Sequence, residues 1–352
     1  MRHDFGQHVM RRSVLLLASL AACGRHPAGA PAGDDPAKPP PAPATAASPG
    51  DGDDRCDPRQ SRLCLGNDVV ACEPDGKLGR RLQACHEGCE DGQCVPSCGA
   101  AGAGLIYVVD DANELFSFDP RKLPRDPFQR IGTLRCGDLA GTPFSMSVDR
   151  HGRAWVVYTD GALYKVSITD AKCRPAPYAP GAAGFVRFGM GFVTDSPGGT
   201  TEKLFIASNG PSHELGYIET AFNLAPRVVG RVTAAQQHNP ELTGTSEAQL
   251  FGFFPAVSGP SFVQEIDRSS GAVRGRRWTL GKEPIGGIGA YAFAQWAGVF
   301  YIFVETYNES SELDASVRAI DRATGTYRMV MHNLPYRIVG AGVSTCAPER
   351  DQ

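Results

Sequence analysis

Phe144-Ser145-Met146-Ser147 is a phrase of four: a large apolar residue, a small one, any residue, a small one. It returns as Phe188-Gly189-Met190-Gly191, Leu242-Thr243-Gly244-Thr245, Tyr291-Ala292-Phe293-Ala294 and Val339-Gly340-Ala341-Gly342. Successive phrases begin 44, 54, 49 and 47 positions apart, which is the period of a propeller blade and too long for a leucine-rich or ankyrin repeat. Where blades converge on an axis, the innermost strands are crowded, and small side chains there must face large ones from the next blade. Five phrases therefore predict an all-β, five-bladed propeller.

Working outward from Phe144, a first strand runs to Asp149 and the turn Arg150-His151-Gly152 leads to a second strand, Ala154 to Tyr158. Asp160-Gly161 turns into a third, Leu163 to Ile168, and a weaker outer strand falls near Arg174 to Tyr178. Alternation with turn signals at this spacing reads as a four-stranded antiparallel meander. Leu204-Phe205-Ile206, Leu250 to Phe253 and Val299 to Ile302 take the second-strand place in later blades. The uncharged stretch Ile285 to Val304 has the length of a membrane helix, but Gln295, its glycines and the Trp296-Ala297-Gly298 turn favour two buried strands around a hairpin.

Asp149-x-x-Gly152-x-x-Trp155 resembles the blade motif of NHL-type and gluconolactonase-like propellers, and Ile266 to Gly271 and Ile320 to Gly325 resemble turns of quinoprotein-type propellers. The resemblance spans Gly104 to Cys346 and is one of architecture, as in uncharacterised bacterial β-propeller lipoproteins. The metal ligands of the lactonases have no counterpart, and Asp149, Asp267 and Asp321 read as turn caps. Since Leu105 to Asp110 lacks a preceding phrase and Val339 to Gly342 lacks following strands, the two ends are expected to pair and close the ring as one composite blade.

The chain has 352 residues, 42% hydrophobic and 21% charged, with a net charge of −3. No basic field is available for phosphates, so nucleic-acid binding is excluded as an expectation, and a monomer is expected. Arg11-Arg12, the apolar run Val14 to Ala22 and Leu20-Ala21-Ala22-Cys23 resemble a bacterial lipoprotein signal. That resemblance implies lipidation at Cys23 and a place in the cell envelope outside the cytoplasm, at the inner or the outer membrane. Residues 1–22 are then the signal peptide and 23–55 the lipidated cysteine with a Pro/Ala-rich tether too poor in apolar bulk to fold. Residues 56–98 form a cysteine-rich module and 99–352 the propeller.

In an exported chain Cys56, Cys64, Cys72, Cys85, Cys89 and Cys94 read as a disulfide framework of undetermined connectivity; zinc held by Cys85, Cys89 and Cys94 with His86 is the rival reading. Four cysteines remain. Cys346 follows the first strand of the composite blade and Cys98 precedes its second, so a bridge between them would staple the ring. Elimination leaves Cys136 with Cys173, although strand direction sets these near opposite ends of their blades.

No nucleophile elbow, zinc-protease helix or phosphate loop is present. Long loops collect on the face where first strands begin, and His213, Glu214, Glu305, Tyr307, Asn308, Glu309, Glu312 and Asp314 form its candidate binding face. The favoured reading is a non-catalytic binding or scaffolding propeller for an envelope protein or glycan, with no cofactor. The alternative is a hydrolase or lactonase-like enzyme with a metal at the channel mouth held by Glu214, Glu305 or Asp314.

Overall fold

The structure is a computed structural model describing residues 55–66, 68–85, 89–90, 92–94, 98, 102–137, 141–220, 223–234, 238–256, 258–281, 287–307 and 313–350. The expected signal, Cys23 and most of the tether lie outside the described residues, as do His86, Asn308, Glu309 and Glu312.

In the cysteine-rich region, β1 (Arg62–Leu65), β2 (Asp68–Cys72) and β3 (Leu78–Ala84) form a three-stranded antiparallel sheet, and β4 (Cys89–Glu90) pairs with β5 (Gln93–Cys94). Its apolar burial is sparse, amounting to Val69, Val70 and the bonded Cys72 and Cys85 among the described residues. Three bridges stand in for a core: Cys56–Cys72, Cys64–Cys89 and Cys85–Cys94. The sulfurs of Cys85, Cys89 and Cys94 are thus spent on disulfides, which removes the zinc reading.

The rest of the chain is all-β. Strands β6 (Ile106–Asp110), β7 (Glu114–Phe118) and β8 (Phe128–Thr133) are followed by β9 (Pro143–Val148), β10 (Arg153–Tyr158), β11 (Leu163–Ser167) and β12 (Cys173–Pro175). Next come β13 (Phe188–Thr194), β14 (Glu202–Ser208), β15 (Glu214–Ile218) and β16 (Arg227–Arg231), then β17 (Glu241–Gly244), β18 (Leu250–Phe254), β19 (Phe262–Ile266) and β20 (Val273–Thr279). The last are β21 (Gly287–Trp296), β22 (Val299–Tyr307), β23 (Leu313–Asp321), β24 (Tyr327–Met331) and β25 (Ile338–Val343). Four consecutive quartets from β9 to β24 make four-stranded antiparallel meanders, and a fifth has the order β25-β6-β7-β8. There Val343 pairs with Ile106 and Ile338 with Asp110, so the last strand of the chain supplies the inner edge of the sheet that begins with β6. The inner strands β9, β13, β17, β21 and β25 touch in a cycle, a propeller-like arrangement.

Each sheet is buried on both faces, which explains why second strands read as unbroken apolar runs rather than alternating ones. In β10, Ala154, Val156 and Tyr158 join a cluster with Val109 and Leu115 of one neighbour, while Trp155 and Val157 join Phe188 and Phe192 of the other. The hairpin between β21 and β22 turns at Ala297 and Gly298, both with positive φ (48° and 78°), as a tight two-residue hairpin loop demands. No helix among the described residues is long and apolar enough to cross a membrane. The aspartates end their strands as caps: Asp149 Oδ1 accepts the amides of His151 and Arg153, Asp267 Oδ1 that of Ser269, and Asp321 Oδ1 that of Thr324. Outer strands expose an open edge, and every one carries exposed arginine (Arg130, Arg174, Arg227, Arg274, Arg328), which discourages edge-to-edge pairing.

Two expectations need correction. The third phrase is displaced by two residues: a Cβ on Gly189 would fall 2.1 Å from Pro240 O, and one on Gly191 3.0 Å from Thr243 Cα. Residues 188–191 therefore face Pro240-Glu241-Leu242-Thr243, not Leu242 to Thr245. A slip of two keeps every side chain on its own face, so alternation alone could not detect it.

The second is the placing of Cys136 and Cys173 near opposite ends of their blades: the bridge expected by elimination is present, with Cα atoms 4.9 Å apart. Third and fourth strands in four of the five sheets pair through a register shift, and such bulges add to the twist of the outer strand. The outer strand is thereby swung until its far end meets the β-turn between the third and fourth strands of the next sheet. The same contact recurs as hydrogen bonds elsewhere: Arg231 N to Ser270 O (3.2 Å), Thr233 N to Gly271 O (3.3 Å), and the Arg276 guanidinium to Ala323 O and Thr324 O. Cys136–Cys173 is its covalent form.

Candidate functional site

The axis is closed by packing. Ser145, Gly189, Glu241, Ala292 and Gly340 form one layer of inner-strand residues, and Ser147, Gly191, Thr243, Ala294 and Gly342 the next. A Cβ on Gly342 would lie 2.7 Å from Ser147 Cα, so glycine is what lets β25 and β9 meet here. Hydrogen bonds cross the seams: Phe192 N donates to Ser147 Oγ and Gln295 N to Thr243 Oγ1. Glu241, 1% exposed, reaches past Gly189 to accept the Ser145 hydroxyl at 2.8 Å, joining two sheets that are not neighbours. Burial pushes its carboxyl well above the usual range, against the opposing pull of the Ser145 bond. A carboxyl group biased by burial toward its protonated form thus sits in the core of the ring. Above it the Tyr291 hydroxyl donates to Asn239 O, and the His238 ring meets Tyr291 edge-on. The sequence reading missed Glu241 because the two-residue slip left it outside the phrase; the signal available was an acidic residue in a strand otherwise apolar and small.

The predicted face is dispersed. His213 and Glu214 lie at the start of β15, with His213 at φ 48° and its Nδ1 buried without a hydrogen-bond partner among the described residues. Glu305, Tyr307 and Asp314 lie at the facing ends of β22 and β23. Glu305 is committed: its Oε1 accepts Arg337 Nε at 2.9 Å, and Arg337 also reaches Asp111 Oδ2 and Gly289 O, tying β21, β22 and the composite sheet together. Asp314 Oδ1 accepts the amide of Asn333. Tyr307 is 44% exposed. Among the described residues no three His, Cys, Asp or Glu side chains are grouped so as to hold a metal ion.

Two open concavities occur on the opposite face, on either side of the terminal segment Pro348 to Arg350. One, of about 570 Å³, lies between Leu105, Arg121, Trp296 and Arg350. Its wall is fixed by Trp296 Nε1 donating to Gly104 O and by the Arg121 guanidinium 6.0 Å above the Trp296 ring, with Asp119 bonding that guanidinium at 2.8 and 3.0 Å. The other, of about 470 Å³, holds Arg322 over the Phe251 and Phe300 rings beside Trp278, Glu265 and Glu349. Glu349 accepts Ser246 N and Oγ and pairs with Arg322, which anchors the segment dividing the two clefts. An arginine, an indole and hydrogen-bonding groups around a concave opening can take a polar ligand with an apolar face.

A half-buried acidic group adjoins this face. Glu202 accepts Arg150 N at 2.8 Å and the Thr345 hydroxyl at 2.7 Å. Burial, followed by the nearby Asp149 charge, raises its carboxyl to about 7. Cys98 and Cys346 are bonded beside Arg150, with Cα atoms 5.1 Å apart.

No protein-family model and no curated protein matches this chain. Solved structures similar to it include a nidogen/laminin complex (14% identity, covering 82% of this chain and 98% of that chain, TM-score 0.39). Two β-propeller glycoside hydrolases are similar over 56% of this chain: the xyloglucan-locus GH43B of Bacteroides ovatus (12% identity, 42% of that chain, TM-score 0.38) and an α-L-arabinofuranosidase of Clostridium thermocellum (11%, 74%, 0.39). At these scores neither an activity nor a residue role passes to this chain, and the NHL-type and gluconolactonase-like likeness stays one of motif.

Proposed function

We propose that the chain is a five-bladed propeller closed by its composite blade and held outside the cytoplasm on a lipidated Cys23 and a stiff tether. There it acts as a non-catalytic binding module for an envelope protein or glycan. The observation that carries this reading is the fate of two of the three carboxylates named for a metal: Glu305 is bound to Arg337 and Asp314 caps Asn333, which leaves Glu214 as the one to test. Five disulfides suit an oxidising compartment. The binding role falls to the paired clefts beside Pro348 to Arg350, which stand on the stapled end of the ring.

Two measurements test it. Cys23→Ser should move the protein from the membrane to the soluble fraction; quantitative retention in membranes would defeat the lipid anchor. Metal analysis and a thermal-shift metal screen on the purified protein should show no stoichiometric ion, since an ion at one hundred times its Kd would stabilise by about 2.7 kcal/mol. An ion lost on Glu214→Ala, accompanied by esterase or lactonase turnover, would replace the binding module with an enzyme.

A further inference from the structure

We infer that the groove occupied by Pro348 to Arg350 is a docking site for a peptide of another protein, one that presents a proline followed by a carboxylate. This docking site rests on the reading of the paired clefts as the binding surface, and it narrows their partner from a protein or glycan to a stretch of protein chain. The segment lies outside any strand and is held as a bound peptide is held, by main-chain bonds for affinity and side-chain pockets for choice. Ala347, 5% exposed, packs into the apolar cluster of Trp296, Ala297 and Val343. Pro348 has no N–H to satisfy, and its carbonyl accepts the amide of Ala297 at 2.8 Å. Glu349 Oε1 accepts Ser246 N and Oγ at 2.8 and 2.9 Å, and its Oε2 lies 3.6 Å from Arg322 Nη1.

The groups that receive the segment belong to the ring and keep their places without it. Ser246 lies in the turn between β17 and β18, Ala297 in the β21–β22 hairpin, and Arg322 directly after β23. Arg322 N donates to Gly298 O at 2.9 Å and its Nη2 to Gln249 Oε1 at 2.8 Å, while the guanidinium lies 4.6 Å from the centre of the Phe251 ring. The Arg322 side chain is 18% exposed, and among the described residues the carboxylate it pairs with is Glu349. With Glu349 withdrawn, a largely buried guanidinium lacks its counter-charge, a cost that an incoming carboxylate removes.

The segment is a strap that a partner can displace. The Cys98–Cys346 bridge and the buried Ala347 fix the chain just before it, whereas Pro348 and Glu349 are half-buried and Arg350 is exposed. Rotation after Ala347 frees an amide, a hydroxyl and a guanidinium together. Clefts of about 570 and 470 Å³ flank the strap, so a longer peptide has room to continue on either side. Glu247 and Glu265 line the second cleft, which limits the partner to one acidic side chain at Arg322 and rejects an acidic run. While the strap is seated, the affinity for a partner falls in proportion to the fraction of chains in which the groove is open.

The test uses the full chain, its Glu349→Ala variant and a fluorescent peptide reproducing residues 345–350 with Cys346→Ser. Glu349→Ala should bind the peptide at least about tenfold more tightly than the native chain, the factor expected if the native groove is open less than about a tenth of the time. A second peptide with glutamine in place of its glutamate should bind the variant about tenfold more weakly, through loss of one charge-assisted contact. Adding Arg322→Gln should weaken the glutamate peptide and leave the glutamine peptide as it was, a difference that a merely misfolded variant would not produce. Equal binding by the native chain and Glu349→Ala, no binding by either, or an equal loss of both peptides on Arg322→Gln would overturn the site. Binding of a neutral galacto-oligosaccharide to Glu349→Ala in place of the peptide would give the groove to a glycan and defeat the peptide assignment. Each of these failures leaves the paired clefts open to a glycan, whereas a metal with turnover would remove the binding module itself.

Discussion

The cysteine-rich region and the ring are both β-structure, yet they are held together by different means. The first buries Val69, Val70 and two half-cystines and relies on three bridges closing short loops. The second has five apolar clusters, each spanning adjacent sheets, with large rings such as Phe118, Phe192, Phe253 and Phe300 fully buried. Its two bridges are placed where chain ends and sheet edges meet rather than where apolar burial is missing. A small unit cannot bury enough surface to offset the entropy of ordering its backbone, so covalent links must restrict the unfolded chain instead; a ring of sheets can.

That contrast can be broken most decisively in the small region. Replacing Cys64 and Cys89 by alanine should unfold it outright, seen as protease cleavage between Arg55 and Cys94, while the cooperative unfolding of the ring persists. Survival of the region intact would mean a core too small to notice carries it after all. The matching lesion in the ring is Phe300→Ala, which should cost about 3–5 kcal/mol in denaturant unfolding through the cavity left among Phe251, Trp278 and Phe293. A loss under about 1 kcal/mol would contradict the packed clusters.

Opening the ring's staple should cost less. Cys98→Ser with Cys346→Ser leaves the β25–β6 pairing in place and removes a link spanning 248 residues, for a loss of about 2–4 kcal/mol. No change in the urea midpoint would show that pairing alone closes the ring.

The smallest effect is on pH dependence. Glu202 titrates near 7 in the folded chain against an ordinary 4.5. The folded state therefore holds this proton where the unfolded chain has released it. The stabilisation is complete below about pH 4.5 and is lost as pH rises to about 7. The melting temperature of the native chain should fall relative to Glu202→Gln across that window and run parallel to it above. Parallel curves throughout would place Glu202 in an ordinary solvated setting.

What the sequence determined by itself was local. Apolar runs bounded by turn signals marked most of the strands, the aspartates announced the turns they cap, and Ala297-Gly298 carried its hairpin because those features depend on residues a few positions apart. The closing of the ring was legible too, from a first strand missing at one end and present at the other. Only the tertiary structure decided which inner-strand residues share a layer, because a slip of two residues leaves the alternation untouched; on that slip turned the placing of Glu241 in the axis. It also decided that Glu305 belongs to Arg337, that Cys136 lies beside Cys173, and that the open clefts sit on the face away from the long loops. Each of these follows from the accumulated twist of successive sheets and from contacts between residues tens or hundreds of positions apart, and no window of sequence contains that information.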